Sequence, residues 1–341
     1  MNMRKAVPTA LLVLAVLAGV VVIASGADAA KGPPPPPKAV NGHKVTVLAR
    51  GVPTPTTFAF GGGQLFVAGF GDEQHPKITG GVYVLKGGKP VKIPGSPPHV
   101  FGLAYSGGTL YVSGGVRGGG IYAWSGWNGT RFAKSRVLVA PRKGFTSFNG
   151  IAVGPDGKLY AGVSLGDKKT DDYSKGSTLY ANDVVSVAPD SGKITVVARG
   201  MRQPWQPLFV AGHDGPLISD LGQENLGKKH PIDRVVEAKQ GADFGFPSCP
   251  AKPSTCSSYD KPLAVFPAHS SPMGLGALGG KLYVALFGGT GKGPEVVGVP
   301  LSGGKYAPAL VGFAAPVVAL AAHGGKLYAG DLTGSIYSFT P

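Results

Sequence analysis

The sequence predicts an all-β chain folded as a six-bladed β-propeller whose N-terminal strand completes the last blade. Three observations predict it. Gly (56) and Pro (31) fill about a quarter of the 341 residues, too much punctuation for long helices and without the three-residue period of collagen. A short strand phrase recurs six times at intervals of 45 to 65 residues, the period of a blade. The last repeat lacks a fourth strand, whereas the first is preceded by a strand that has no repeat of its own.

In chain order, residues 1–29 read as an export signal. Arg4 and Lys5 open it, Ala10 to Ile23 is an uncharged apolar run of fourteen residues, and Ala27-Asp28-Ala29 offers the small-x-small pattern of a cleavage site. At about 1.5 Å per residue such a run is shorter than a hydrocarbon core about 30 Å thick. Cleavage is therefore expected, giving a protein that is secreted, periplasmic or at the cell surface, with membrane contact only through an uncleaved signal. Pro33 to Pro37 force a stiff extended stretch, and residues 30–42 read as a Pro-rich linker.

The propeller is expected over 43–341. Its phrase is a Gly-rich or Asp-Gly turn, then Leu, then usually an aromatic, with the leucines at Leu65, Leu110, Leu159, Leu217, Leu282 and Leu327. An apolar run precedes each turn (Thr57-Phe-Ala-Phe, Gly150-Ile-Ala-Val, Val318-Ala-Leu-Ala), and an alternating strand follows (Val82-Tyr-Val-Leu, Val184-Val-Ser-Val, Ser335-Ile-Tyr-Ser). Fourth strands are expected at Val91-Lys-Ile, Val137-Leu-Val, Ile194-Thr-Val-Val, Leu263-Ala-Val-Phe and Leu310-Val-Gly-Phe. Lys44-Val-Thr-Val-Leu supplies the strand that the sixth repeat lacks, so both chain ends share one blade and no edge is left open there.

Charge narrows the partners. Lys+Arg (33) exceed Asp+Glu (18), a formal charge of +15, but the lysines are scattered singly and export removes the chain from nucleic acid. Anionic extracellular polymers, or simple solubility, account for the excess; no nucleic-acid partner is expected, and a monomer is. Cys249 and Cys256 stand seven apart and in an oxidising compartment predict a small loop disulfide. No further thiol or imidazole lies near enough in sequence for zinc.

The most distinctive stretch is 199–249, expected to fill much of the longest loop region of the propeller mouth. It contains Gly200-Met-Arg-Gln-Pro204, Ile232-Asp-Arg-Val and Asp243-Phe-Gly-Phe-Pro247, and is followed by His269-Ser-Ser-Pro-Met-Gly-Leu275; Gly154-Pro-Asp-Gly-Lys-Leu-Tyr-Ala161 stands upstream. With these motifs in this order, the chain from about Lys44 onward resembles the glucose/sorbosone dehydrogenase family, exported six-bladed propellers that oxidise sugars with pyrroloquinoline quinone (PQQ) and calcium.

The resemblance implies a sugar or glycan partner, and places Arg202 at the arginine facing cofactor and substrate. Gln203 stands at a neighbouring asparagine, and Lys292 near a cofactor-binding lysine. Gly222 and Gln223 stand where two backbone carbonyls hold calcium, a role that tolerates changed side chains. Three positions depart from the pattern. Thr146 replaces the histidine base, and its hydroxyl does not accept a proton near neutral pH; Ala315 and Val317 replace two cofactor-binding arginines. PQQ-dependent oxidation is thus expected to be weakened or lost, the alternative being a glycan- or protein-binding propeller of the same descent. His75 and His269 are candidate replacement bases, or else a solvated and a structural histidine. Asp220, Glu224 and Asp243 either bind calcium or cap turns.

Overall fold

The computed structural model describes residues 32–72, 75, 77–115, 119–141, 147–163, 179–223, 233–246 and 258–341. The expected signal segment, Thr146, Glu224, Cys249 and Cys256 lie outside them. Among the described residues no helix is long and apolar enough to cross a membrane.

The strands form six antiparallel sheets, as the repeat predicts. β1 (Lys38–Ala39) and β2 (Thr46–Ala49) precede the first blade, which is β3 (Pro55–Gly61), β4 (Gln64–Gly71), β5 (Thr79–Lys86) and β6 (Lys89–Lys92). Blade 2 is β7 (Val100–Ser106), β8 (Thr109–Gly114), β9 (Gly120–Trp127) and β10 (Phe132–Val139). Blade 3 is β11 (Phe148–Val153), β12 (Leu159–Val163), β13 (Val184–Val187) and β14 (Ile194–Ala198). Blade 4 is β15 (Gln203–Leu208), β16 (Leu217–Leu221), β17 (Asp233–Glu237) and β18 (Ala264–Phe266). Blade 5 is β19 (Pro272–Leu278), β20 (Lys281–Leu286), β21 (Glu295–Pro300) and β22 (Ala307–Val311). Blade 6 is β23 (Val317–His323), β24 (Lys326–Asp331) and β25 (Ile336–Phe339), completed by β2.

The first strands touch in a closed ring, β3 to β7, β11, β15, β19, β23 and back to β3. Glycine permits the approach: a Cβ at Gly102 would lie 2.6 Å from the Ile151 nitrogen, and one at Gly150 would lie 3.0 Å from the Gln206 Cα. Side chains then tie blades 1 to 5 in series. Thr56 Oγ1 donates to the Val100 carbonyl at 2.9 Å, Ser113 Oγ to Asn149 at 2.7 Å, Asn149 Nδ2 to Pro204 at 2.5 Å and Ser219 Oγ to Met273 at 2.6 Å.

Ring closure follows the prediction, with Thr46 opposite Ser338 and Val47 opposite Tyr337. The segment before it does more than space. Lys38 and Ala39 pair with Val311 and Leu310, adding a fifth strand to blade 5. Arg50 Nη2 donates to the Pro34 carbonyl at 3.1 Å, while Asn41 Nδ2 and His43 Nδ1 donate to the Thr340 carbonyl at 3.3 and 3.1 Å. Residues 34–43 therefore strap blade 5 to blade 6.

Connection lengths separate the two faces. On the rear, Gly62-Gly63, Gly107-Gly108, Gly279-Gly280 and Gly324-Gly325 make two-residue hairpins with both φ angles between 55° and 77°, the left-handed pair that a type I′ turn requires. Most of the longer connections join strand ends on the opposite face, the mouth, whereas the long one from β17 to β18 starts at the rear. The stretch 199–249 is not one loop, because its alternating apolar residues build β15, β16 and β17.

Candidate functional site

Every blade carries the same irregularity. The pairing of its first and second strands shifts register near the mouth, at Pro55/Thr57, Val100/Gly102, Phe148/Ile151, Pro204/Pro207, Pro272/Leu275 and Val317/Ala319. A bulge re-aims a side chain that regular alternation would send elsewhere. Here the extra positions include Phe101, Trp205, Met273 and Val318, which join Phe70, Leu221 and Phe287 from the second-strand ends in one buried apolar cluster, with Leu332 packed against it.

That cluster lies on the propeller axis. The Phe101 and Trp205 rings, from blades 2 and 4, approach edge to face at 6.2 Å across blade 3, and Phe70 stacks obliquely on Phe101 at 4.9 Å. A buried aromatic layer, its rings 2–8% exposed, thus forms the floor below the mouth. Thr56 and Asn149, the bulge residues of blades 1 and 3, spend their polar groups on neighbouring carbonyls.

Blade 4 brings several of the predicted residues together. Arg202, one residue before β15, is wholly buried at 2% exposure, and its carbonyl accepts from Asn182 Nδ2 at 2.8 Å. Its guanidinium sets a positive potential there. Gln203 is also buried; its backbone N–H donates to Asp220 Oδ1 at 2.9 Å. The other Asp220 oxygen meets Arg234 Nε at 2.8 Å, and Arg234 donates further to the Gly200 and Phe244 carbonyls at 3.1 and 3.2 Å. Asp220 is therefore a backbone organiser. Asp233 accepts from the Gly222 N–H at 2.6 Å and from the Ser271 N–H at 2.8 Å, fixing the start of the 222–223 segment against the entry to blade 5.

Other predicted residues stand apart. His75 is exposed on the blade 1 mouth loop, with Nδ1 2.8 Å from Asp72 Oδ2. Lys292 is exposed on the blade 5 loop, and His269 is half-buried before β19 with a left-handed φ of 66°. Asp243 caps a local turn, accepting from the Gly245 N–H at 2.8 Å. Val317 is fully buried in an apolar cluster with Leu320 and Leu327, while Ala315 is half-buried at the mouth.

Two residues that the sequence reading passed over belong to this face. His99, half-buried before β7, packs on Phe70 at 4.8 Å and its Nδ1 lies 2.9 Å from the Phe70 carbonyl. A carbonyl only accepts, so Nδ1 carries the proton and neutral His99 keeps its lone pair on Nε2. Asp183, next to Asn182, has its pKa pushed up to about 7 by burial and by Asp243, against the opposing pull of Arg199. The sequence signal for His99 was its place two residues before Phe101, the place that Gln203 holds before Trp205 in blade 4.

The described residues fit part of a PQQ–calcium site. The rings of the aromatic floor are almost wholly buried and offer a quinone little open face, while Arg202 is one cation for its rim. The two positions where the resemblance seeks arginines hold Ala315 and core-buried Val317. Among the described residues no group of three or more His, Cys, Asp or Glu side chains is arranged to hold a metal ion. The described side chains thus supply one cation for the rim and no carboxylate cluster for the metal, a count that leaves out the backbone carbonyls of Gly222 and Gln223, and no chemical step below runs through the group.

No protein-family model and no curated protein matches the chain. Solved structures do. A PQQ-bound aldose sugar dehydrogenase from Streptomyces coelicolor is 20% identical with a TM-score of 0.67, covering 90% of this chain and 99% of its own. The PQQ domain of a pyranose dehydrogenase from Coprinopsis cinerea is 16% identical with a TM-score of 0.68, over 91% of this chain and 98% of its own. A gluconolactonase from Xanthomonas campestris is 13% identical with a TM-score of 0.58, over 91% and 98%. The neighbours include the sugar dehydrogenases to which the motifs pointed, and the likeness establishes a shared six-bladed propeller fold.

Proposed function

We propose that this chain is an exported, sugar-binding propeller of the sugar-dehydrogenase kind whose PQQ-dependent oxidation is weakened or lost. The observation that carries the reading is the aromatic floor of Phe70, Phe101, Trp205 and Phe287 beneath the long-loop mouth. Such a floor closes the mouth beneath a pyranose with an apolar layer, while a few polar groups at its edge orient the hydroxyls. Arg202 provides positive potential for a sugar oxygen. His99 Nε2, when neutral, accepts a hydroxyl proton in a hydrogen bond.

PQQ, when bound, would supply a hydride acceptor; what this chain contributes is the floor, the Arg202 charge and the His99 acceptor. A metal-dependent lactonase on the same fold requires a carboxylate and amide cluster on one ion, and the described carboxylates Asp220 and Asp233 are committed to backbone N–H groups and Arg234. Export, a Cys249–Cys256 disulfide and a monomeric state complete the reading.

Calorimetric titration of the mature protein with aldoses, and separately with PQQ with and without Ca²⁺, tests it. Heat of aldose binding without PQQ, together with dye reduction about 10²- to 10⁴-fold below a complete general-base site, is the expected result. Rapid PQQ-dependent turnover would overturn the claim of weakened chemistry, and no aldose heat under any condition would overturn sugar binding.

A further inference from the structure

The excess positive charge of the chain is not evenly spread: residues 100–147, which build blade 2, contain six Lys and Arg and no Asp or Glu, and the neighbouring blades 1, 6 and 5 present lysines on the rear with few acids. Lys86 and Lys89 flank the rear hairpin of blade 1, Lys281 and Lys305 lie on rear connections of blade 5, and Lys326 and Lys44 do so in blade 6; all six are exposed. These three blades are contiguous around the ring. Residues 32–99 and 267–341, which build them, contain only Asp72, Glu73, Glu295 and Asp331 as acidic side chains. Asp72 follows β4 on the mouth side, Glu73 lies outside the described residues, and Glu295 and Asp331 are buried at mouth-side strand ends. No carboxylate side chain of the described residues therefore faces the six lysines on the rear.

The remaining rear acids belong to blades 3 and 4 and are already engaged. Asp156 pairs with Lys158 at 2.9 Å, Asp214 with Lys239 at 2.9 Å, and Glu237 with His213 at 3.3 Å, while Asp190 accepts from the Ser191 N–H at 2.7 Å. At the seam of blades 6 and 1, within the lysine sector, His323 is exposed and stacks on Phe60 at 4.2 Å with only 7° between the planes. His323 stands directly opposite Lys326 in the hairpin register.

From this juxtaposition we infer that the rear face of blades 5, 6 and 1 docks an acidic polysaccharide. The six lysines meet carboxylates that recur along the polymer, and the His323–Phe60 stack offers a flat surface for one pyranose ring. A duplex nucleic acid has no use for a single exposed ring between lysines. A membrane surface calls for a cluster of apolar side chains that insert, and among the described residues these blades expose only Val40 and Val91 outside the mouth, each on an outer strand or strap. The proposal is independent of the mouth and stands whether or not the mouth binds a sugar.

The test is binding of the mature protein to polygalacturonate, followed by affinity electrophoresis and calorimetry at several salt concentrations. The triple variant Lys86→Glu, Lys281→Glu, Lys326→Glu should lose about ten-fold or more in affinity, and wild-type binding should weaken as salt shortens the Debye length. A control of equal net charge on blades 3 and 4, Lys193→Glu, Lys239→Glu, Lys261→Glu, should change it less than about two-fold if the sector rather than net charge is responsible. His323→Ala, which keeps every lysine, should weaken polygalacturonate binding without changing its salt slope. Circular dichroism establishes that each variant is folded. Equal losses in the two triple variants, no wild-type binding, an unchanged His323→Ala affinity, or tighter binding to anionic vesicles or duplex DNA than to polygalacturonate would each overturn the proposal.

Discussion

Arg234 Nε lies 2.8 Å from Asp220 Oδ2, with the two side chains only 7% and 2% exposed. The pair holds the mouth end of blade 4 to the chain that climbs beside blade 3, because the same guanidinium reaches the Gly200 and Phe244 carbonyls and Asp220 also grips Gln203. Arg234→Met should cost about 3–5 kcal/mol, since it strands a buried carboxylate. Adding Asp220→Asn should recover part of that loss. Urea unfolding of the two single variants and the double variant measures the coupling; additive losses would show that the pair does not act as a unit.

Asp183 makes stability depend on pH. Its folded pKa of about 7 lies above the ordinary value of 3.8, so the folded state holds the proton more tightly and the group favours folding at low pH. That contribution fades as pH rises from about 4 to about 7. The Tm of Asp183→Asn minus that of wild type should therefore grow across this window and level off above it. A flat difference would refute the assignment.

Replacing the two missing arginines has opposite consequences at the two positions. Ala315→Arg sits half-buried at the mouth and should change stability by no more than about 0.5 kcal/mol. Val317→Arg puts an unpaired charge among Leu320 and Leu327 and should cost about 3–5 kcal/mol or more. Thermal melts separate them, and PQQ titration of Ala315→Arg then asks whether one restored cation improves binding. A Val317→Arg variant as stable as wild type would mean that this side chain reaches the mouth.

Truncation from the N-terminus should act in steps. Removing residues 1–32 leaves β1 and β2 whole and should not alter Tm. Removing 1–42 also deletes β1 and the Asn41 bond to Thr340, with an expected fall of about 2–4 °C. Removing 1–50 deletes β2, exposes the β25 edge and should prevent cooperative folding. Equal melting temperatures for the last two truncations would refute ring closure through β2.

The blades were legible because each repeats a turn and a leucine, followed by an aromatic in all but blade 4, and the six strands that contain this phrase fall where it predicts. The closing strand was legible for a related reason: Lys44 to Leu48 alternates like the fourth strands and had no blade. The bulges were not, since an extra residue breaks period-two counting at the very point where Phe101 and Trp205 turn toward the axis. One residue of register likewise separates Val317, in the core of the blades, from Val318, on the axial floor. β1 follows a proline run and pairs through only two residues, too few to show a pattern. His99 was overlooked because an isolated loop histidine carries no periodic signal; its role depends on the Phe70 carbonyl, which is distant in sequence.

The strap formed by residues 34–43 also determines how the molecule would yield under tension. A pull on the N-terminus is borne first by the Arg50 grip on Pro34 and by the two pairs of β1, then by the Asn41 and His43 clamp on Thr340. Only after these have let go does force reach β2, whose loss opens the ring. The outer layer acts as a mechanical fuse, so a domain held by its N-terminal segment could be tugged and could re-seat β1 many times without unrolling its blades.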